Sequence, residues 1–169
     1  MNDQEPSNVE PNTDNDAARV RVFPPGVPLA VILVGVALNF FWPLDLGIGA
    51  QTAIRFGVGG SVILLSVYFL GFRAVAMMRG TGQSENPYQK TTEIIEAGPY
   101  RFTRNPMYLQ MVTGCLGFSI LLANAWILML TPVGALVLHY LVIMPEEAYL
   151  EHKFGQTYRD YQSRVRRWI

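Results

Sequence analysis

Four apolar runs of about twenty residues, separated by short charged segments, leave this chain few ways to fold. They lie at 27–44, 54–78, 106–123 and 125–144. A soluble domain of 169 residues needs no such runs, whereas a helix needs about twenty mostly apolar residues to cross the hydrocarbon core of a bilayer. The first run closes on Phe40, Phe41 and Trp42, an aromatic group suited to the membrane–water interface. The second carries Arg55 at its start and Arg73 near its end, where a long side chain can snorkel to the headgroups. Only Ala123, Asn124 and Ala125 join the third and fourth runs, which predicts a tight helical hairpin.

The segments around these runs are polar. Before residue 19 there are five acidic residues and no basic one: Asp3, Glu5, Glu10, Asp14 and Asp16. Such a segment cannot bury enough surface to offset its ordering entropy, so 1–22 reads as a disordered tail and 23–169 as a single membrane-embedded domain. The tail lacks the basic start and early apolar core of a signal peptide. The lone cysteine, Cys115, lies within an apolar run; a disulfide framework is excluded and a packing role expected. Lys and Arg total 13, as do Asp and Glu, so the charge balance gives nucleic acid no basic footprint to bind.

Orientation follows from the basic residues. Arg79, Lys90, Arg101 and Arg104 lie between runs two and three, and Lys153, Arg159, Arg164, Arg166 and Arg167 follow run four. Both segments and both termini are expected in the cytoplasm, as in a bacterial inner-membrane protein. After run four, Pro145 suits a first helical turn and Glu146 and Glu147 suit a helix N-terminus. Leu150, Phe154, Tyr158, Tyr161 and Val165 recur at intervals of three and four, with Gly155 as a break. An aromatic stripe opposite arginines predicts helices over 145–167 that lie along the membrane surface. The expected fold is thus an all-α integral membrane protein of about four transmembrane helices plus a C-terminal amphipathic surface helix region.

The reactive polar groups concentrate in two places that the hairpin must bring together. One is 96–108, where Asn105-Pro106 reads as a capped helix start whose free N–H groups favour an anionic group. The other is Pro145-Glu146-Glu147, where paired carboxylates can receive a cation or hydroxyls. A donor-rich end facing an acidic end suits a zwitterionic, amino-acid-like cofactor. Tyr100 and Tyr108 add aromatic faces over which a sulfonium is stabilised. His139 and His152 read as a packed and a surface residue. No His, Cys, Asp and Glu grouping has metal-ligand spacing, so no metal is expected.

The combination of "AGPYRFTRNPMYL", an apolar hairpin and "PEEAYLEHKFGQTYRDYQSRVRRW" resembles the isoprenylcysteine carboxyl methyltransferases and the related phospholipid N-methyltransferases, over about residues 80–169. Their pattern of Gly-x-Tyr, Arg-His-Pro-x-Tyr, two spans, a Glu pair and Phe-Gly-x-x-Tyr-x-x-Tyr is matched by Gly98 and Tyr100, Arg104 to Tyr108, Glu146 and Glu147, and Phe154 to Tyr161. The resemblance implies a membrane enzyme that binds S-adenosylmethionine on the cytoplasmic side without a Rossmann sheet and methylates a lipidic, lipid-attached or small apolar substrate. It implies Tyr100, Asn105, Pro106, Met107, Tyr108 and Glu146 at the cofactor, together with Thr92, Ile94 and Ile95, and makes Arg104 and Glu147 the candidate catalytic groups. Gly80-Thr81-Gly82 is only faintly similar to the Gly-x-Gly of the phospholipid enzymes. Two departures are chemical. The family's His is Asn105, which can hydrogen-bond but cannot titrate. The Arg that precedes the Glu pair in the isoprenylcysteine enzymes is absent from Val142, Ile143 and Met144, so a substrate carboxylate has no cation there.

A non-enzymatic membrane assembly protein that retains the fold is the competing expectation, and cofactor binding separates the two. A small transporter would need more spans and broken polar helices. The expected topology has its own check. Cysteines introduced near Asp45 and Asn124 should be labelled from outside the cytoplasm and those near Gln83 and Gln162 from inside; labelling of Asn124 and Gln162 from one side would sink the hairpin.

Overall fold

The computed structural model describes residues 17–18, 20–48, 52–84, 86 and 88–169, which form five helices and no β-strand. They are α1, Gly26–Phe41; α2, Thr52–Gly80; α3, Pro106–Leu121; α4, Ala125–Phe154; and α5, Gln156–Arg164. By length and composition α2 and α4 can cross a membrane. Helices α1 and α3 have 16 residues each and rise about 24 Å, short of the ~30 Å hydrocarbon core. Of the four expected spans, two therefore meet the length. The other two fall short because the chain leaves helical geometry at Phe41 and Leu121, before the apolar runs end at 44 and 123.

Hairpin α3–α4 is the centre, with α2 packed on α3 and α1 packed on α4. Many large apolar side chains point outward, including Leu33, Phe56, Leu64 and Leu136, and the contacts between helices are made by small residues. A lipid-facing bundle packs in this way because lipid provides no hydrophobic drive and close backbone approach must supply the attraction. A Cβ on Gly59 would lie 2.7 Å from Leu121 N and 2.8 Å from Gly117 O. One on Gly35 would lie 3.0 Å from Ile127 N.

At one end of the bundle the hairpin turn is stitched to the α1–α2 loop. Asn124 caps α4 by accepting from Ile127 N–H at 3.1 Å, and its Nδ2 donates to Gly35 O at 3.1 Å. Ala125 N–H donates to Leu44 O, and Trp126 Nε1 donates to Trp42 O at 2.8 Å. The expected hairpin is present.

Pro145 does not begin a separate helix as expected; α4 runs through it to Phe154. An interior proline removes one N–H and pushes its ring toward the carbonyl four residues earlier, here Leu141. Two features accommodate it. The turn His139–Ile143 is π-helical, which loosens the ladder at that point. The Leu141 carbonyl, left without its usual donor, accepts from Arg21 N–H at 3.1 Å. The expectation of a disordered tail through residue 22 is corrected accordingly. Ala18 is buried, and Val20 and Val22 pack on the core of Tyr108, Leu138, Val142 and Ile143. The rest of the expected tail, 1–16 and 19, lies outside the described residues.

The C-terminal helices also differ from expectation. Gly155, with φ +55°, breaks the chain as foreseen. The aromatic stripe of α5, however, faces the protein: Tyr158 and Tyr161 are 2% and 3% exposed. A tyrosine hydroxyl needs a partner when buried, and Tyr161 donates to Tyr100 O at 2.8 Å. Beyond Arg164 the chain is extended and folds back on the loop before α3, with Arg104 N–H donating to Arg166 O at 3.0 Å.

The glycine contacts yield a matched pair of variants. Gly59→Ala should force backbone from backbone and destabilise by about 1–3 kcal/mol. Gly60→Ala, next in sequence and with nothing within 4 Å, should leave the unfolding temperature unchanged or raise it through helix propensity. Equal unfolding temperatures for the two variants in detergent would refute close packing at Gly59.

Candidate functional site

The loop between α2 and α3 and the C-terminal segment meet at the end of the bundle opposite Asn124, around the start of α3 and the last turns of α4. The loop is anchored by Gln83, which is 5% exposed. Its N–H donates to Met78 O, its Nε2 donates to Thr81 Oγ1, and its Oε1 accepts from Thr92 N–H. Gly98, with φ +58°, then turns the chain into a short 3₁₀ turn, Gly98–Arg101. A Cβ there would also lie 2.9 Å from the Met77 sulfur, so the position asks for glycine on two counts.

These elements enclose a cavity that opens at this end of the bundle. Tyr100, Asn105, Pro106, Met107 and Tyr108 line it from the start of α3 and the turn before it. Glu146 closes it from α4, and Ile94 and Ile95 cover it from the loop. Arg104 and Glu147 reach its wall. Of the residues singled out from the sequence, Thr92 alone stays outside; it is exposed and its neighbour Thr91 lines the cavity instead.

The two adjacent carboxylates have different surroundings. Glu147, 7% exposed, is held from three directions. Arg104 Nη2 lies 3.1 Å from Oε1, Arg167 Nη2 lies 2.7 Å from Oε2, and Arg167 Nε bridges both oxygens at 3.1 Å. Asn105 Nδ2 donates to Oε1 at 3.5 Å and to Arg167 O at 3.1 Å. Asn105 precedes the first turn of α3, as expected, but its side chain makes no cap; it ties the helix start to the C-terminal segment. Thr103 adds a bond from Oγ1 to Arg167 O at 3.1 Å.

Glu146 has no basic partner among the described residues. Its Oε2 accepts from Tyr108 Oη at 2.7 Å and the carboxyl faces the cavity. Glu146 lies beyond Met144, where the apolar stretch of α4 ends. Burial pushes its carboxyl up to about 7 from the usual 4.5; the Tyr108 hydrogen bond opposes the rise and the Glu147 charge adds to it. Tyr100 is held neutral, its phenol raised above the ordinary range by burial and then by the Glu146 charge.

Sequence reasoning missed Arg167, Gln83 and the inward role of Tyr158 and Tyr161. Arg167 sits in a basic run that the positive-inside rule already accounts for, so no spacing marks it. It also reaches His139 Nε2 at 3.3 Å, while Trp168 stacks on the same imidazole and donates to Nδ1 at 3.3 Å. A neutral imidazole has one acceptor nitrogen, so only one of these contacts is a full hydrogen bond.

Fold and site together define an all-helical bundle with a mixed acidic and aromatic pocket at one pole, and no metal-binding group of His, Cys, Asp or Glu occurs among the described residues. The chain belongs to the phospholipid methyltransferase family, whose model matches residues 54–157. That membership points to methyl transfer on membrane substrates. An uncharacterized protein of Haemophilus influenzae is 38% identical over 63 residues, covering 37% of this chain and all of that shorter relative. No solved structure matches.

The network around Glu147 sets a stability expectation. Removing one partner of a buried ion pair costs about 3–5 kcal/mol. Arg167 is 34% exposed and Arg104 remains, so Arg167→Gln should cost about 2–3 kcal/mol after that discount. Arg166→Gln removes the same charge from an exposed neighbour and should change little. Unfolding curves of the two variants that coincide would show the network to be idle.

Proposed function

We propose that this cavity binds S-adenosylmethionine from the cytoplasm and that the chain transfers its methyl group to a lipid or lipid-attached acceptor entering from the bilayer. One observation carries the reading. Of two neighbouring carboxylates, Glu147 is saturated by the protein's own cations and Glu146 is left unpaired, facing a cavity with aromatic and apolar walls. A desolvated carboxylate without a cation is costly, and an arriving ammonium offsets that cost.

The residues present fit such a cofactor. Glu146 would accept from its ammonium or ribose hydroxyls. The rings of Tyr100 and Tyr108 would lie against positive charge, which they attract through their faces. Pro106 and Met107 form the wall beside them, and Ile94, Ile95 and Leu150 keep water out. Bound S-adenosylmethionine supplies an electrophilic methyl group. The protein's part is then alignment and exclusion of water, since an acceptor must approach in line at about 3 Å. Arg104 and Glu147 act here as positioning residues, because both are engaged with each other; Asn105 shares that task, and Thr92 acts through its bond to Gln83. At the place of the isoprenylcysteine enzymes' arginine, Val142 and Ile143 are fully buried, so a carboxylate acceptor would need its cation elsewhere.

In this reading residues 23–169 form one membrane domain of four spans, with α1 and α3 crossing a thinned or interfacial depth. Both termini are in the cytoplasm and the membrane is a bacterial inner membrane.

Glu146 offers the test. Calorimetry with detergent-purified protein should detect S-adenosylmethionine binding, and Glu146→Gln should weaken it by about 1.5–3 kcal/mol, the worth of a charge-assisted hydrogen bond. Because the carboxyl is raised to about 7, cofactor affinity should rise between pH 6 and 8 as the carboxylate forms. Stability of the free protein should move the other way. Between 4.5 and about 7 the folded state holds a proton that the unfolded state has lost, so raising the pH destabilises the fold. The stability gained by Glu146→Gln over wild type should therefore grow from pH 5 to pH 8. A variant that binds S-adenosylmethionine as wild type does removes Glu146 from the site.

A further inference from the structure

The Gly98–Arg101 turn has two sides. Tyr100 lines the cavity described above, whereas Gly98, Pro99 and Arg101, with Phe102, form one wall of a separate groove. Helix α2 supplies the other wall through Phe69, Leu70, Arg73 and Met77. Met77 belongs to this groove and Met78, one residue on, to the cavity, so the two spaces lie back to back.

The groove combines two features that are poorly matched by the protein alone. Arg73 and Arg101 both line it, and among the described residues neither side chain has a hydrogen-bond or ion-pair partner. Several neighbouring cations of this pole, by contrast, are engaged: Arg104 and Arg167 with Glu147, Arg164 with Glu96 at 2.9 Å. The remaining walls are apolar, with Phe69 50% and Phe102 76% exposed. The groove opens on the face of α2 that also turns Leu65, Tyr68 and Phe72 outward.

We propose that this groove binds one membrane phospholipid. Arg73 and Arg101 share its phosphodiester, and its chains lie along Phe69, Leu70 and Phe102. Two guanidinium groups lining one groove repel each other, and a phosphate between them satisfies both through paired N–H···O bonds. Basic pockets at the cytoplasmic ends of membrane helices hold headgroups by this chemistry. The apolar walls favour a lipid over a free anion, because inorganic phosphate would leave Phe69, Leu70 and Phe102 uncovered. The site is distinct from the proposed cofactor cavity and requires nothing of it.

Native mass spectrometry of the full chain in detergent, titrated with dioleoylphosphatidylglycerol, reads the site directly. One lipid should be retained. Each of Arg73→Gln and Arg101→Gln should weaken retention roughly fivefold, and the double variant should lose it, with wild-type unfolding temperatures. Dioleoylglycerol, which has the same chains and no phosphate, should not be retained. Equal retention by wild type and the single variants would overturn the proposal, as would retention of dioleoylglycerol to the same extent. Displacement of the lipid by millimolar inorganic phosphate would make the site one for a free anion and would also overturn it. If the double variant fails to fold, the exposed single variants decide. Retention is read without any methyl transfer, so its failure and that of the cofactor reading are separate results.

Discussion

A carboxylate buried at 7% exposure is the constraint on which this pole of the molecule depends. Glu147 sits on α4, Arg104 and Asn105 on the approach to α3, and Arg167 on the extended segment after α5. These three parts of the chain are far apart in sequence and are pulled to one point. The attraction is large because the point is dry, and the penalty for any missing partner is large for the same reason. Once Glu147 is fixed, the start of α3 and the last turns of α4 cannot slide past each other, and the cavity between them has a defined width.

The rest of the bundle is arranged so that this point can exist. Glycines 35, 59 and 117 let backbones touch where lipid offers no hydrophobic drive, which sets the spacing of the helices. The π-helical turn at His139–Ile143 lets α4 pass Pro145 without breaking, with the chain before α1 supplying the missing donor to Leu141. A helix broken at Pro145 would not carry Glu146 and Glu147 rigidly from the bundle into the cavity wall.

Adjacent residues on a helix point about 100° apart, and that geometry separates the two glutamates. Glu147 turns toward the protein's cations and becomes structure. Glu146 turns toward the cavity, meets one tyrosine hydroxyl, and has no basic partner among the described residues. The contrast between a satisfied and an unsatisfied carboxylate is the observation on which the proposed cofactor site rests. The same contrast, between engaged and free arginines, marks the groove behind the cavity.

The sequence by itself determined the helices, the hairpin at Asn124, the break at Gly155 and the approach of residues 96–108 to the Glu pair. Each of these rests on local properties: apolar length, a capping side chain, a glycine able to adopt positive φ, and a turn too short to do anything but reverse the chain. The family resemblance around Arg104 to Tyr108 and the Glu pair marked the start of α3 and Glu146 as the site, but not Gln83, Tyr158 or Tyr161, which also line the cavity. Tertiary structure alone decided which glutamate is paired, that Arg167 joins Arg104 on it, that the α5 tyrosines face inward, and that α4 continues past Pro145. It also decided that α1 and α3 stop short of their apolar runs. These outcomes depend on which distant group reaches a given charge, carbonyl or ring first. A one-dimensional pattern reports what a residue needs, and only the folded chain reports which partner meets that need.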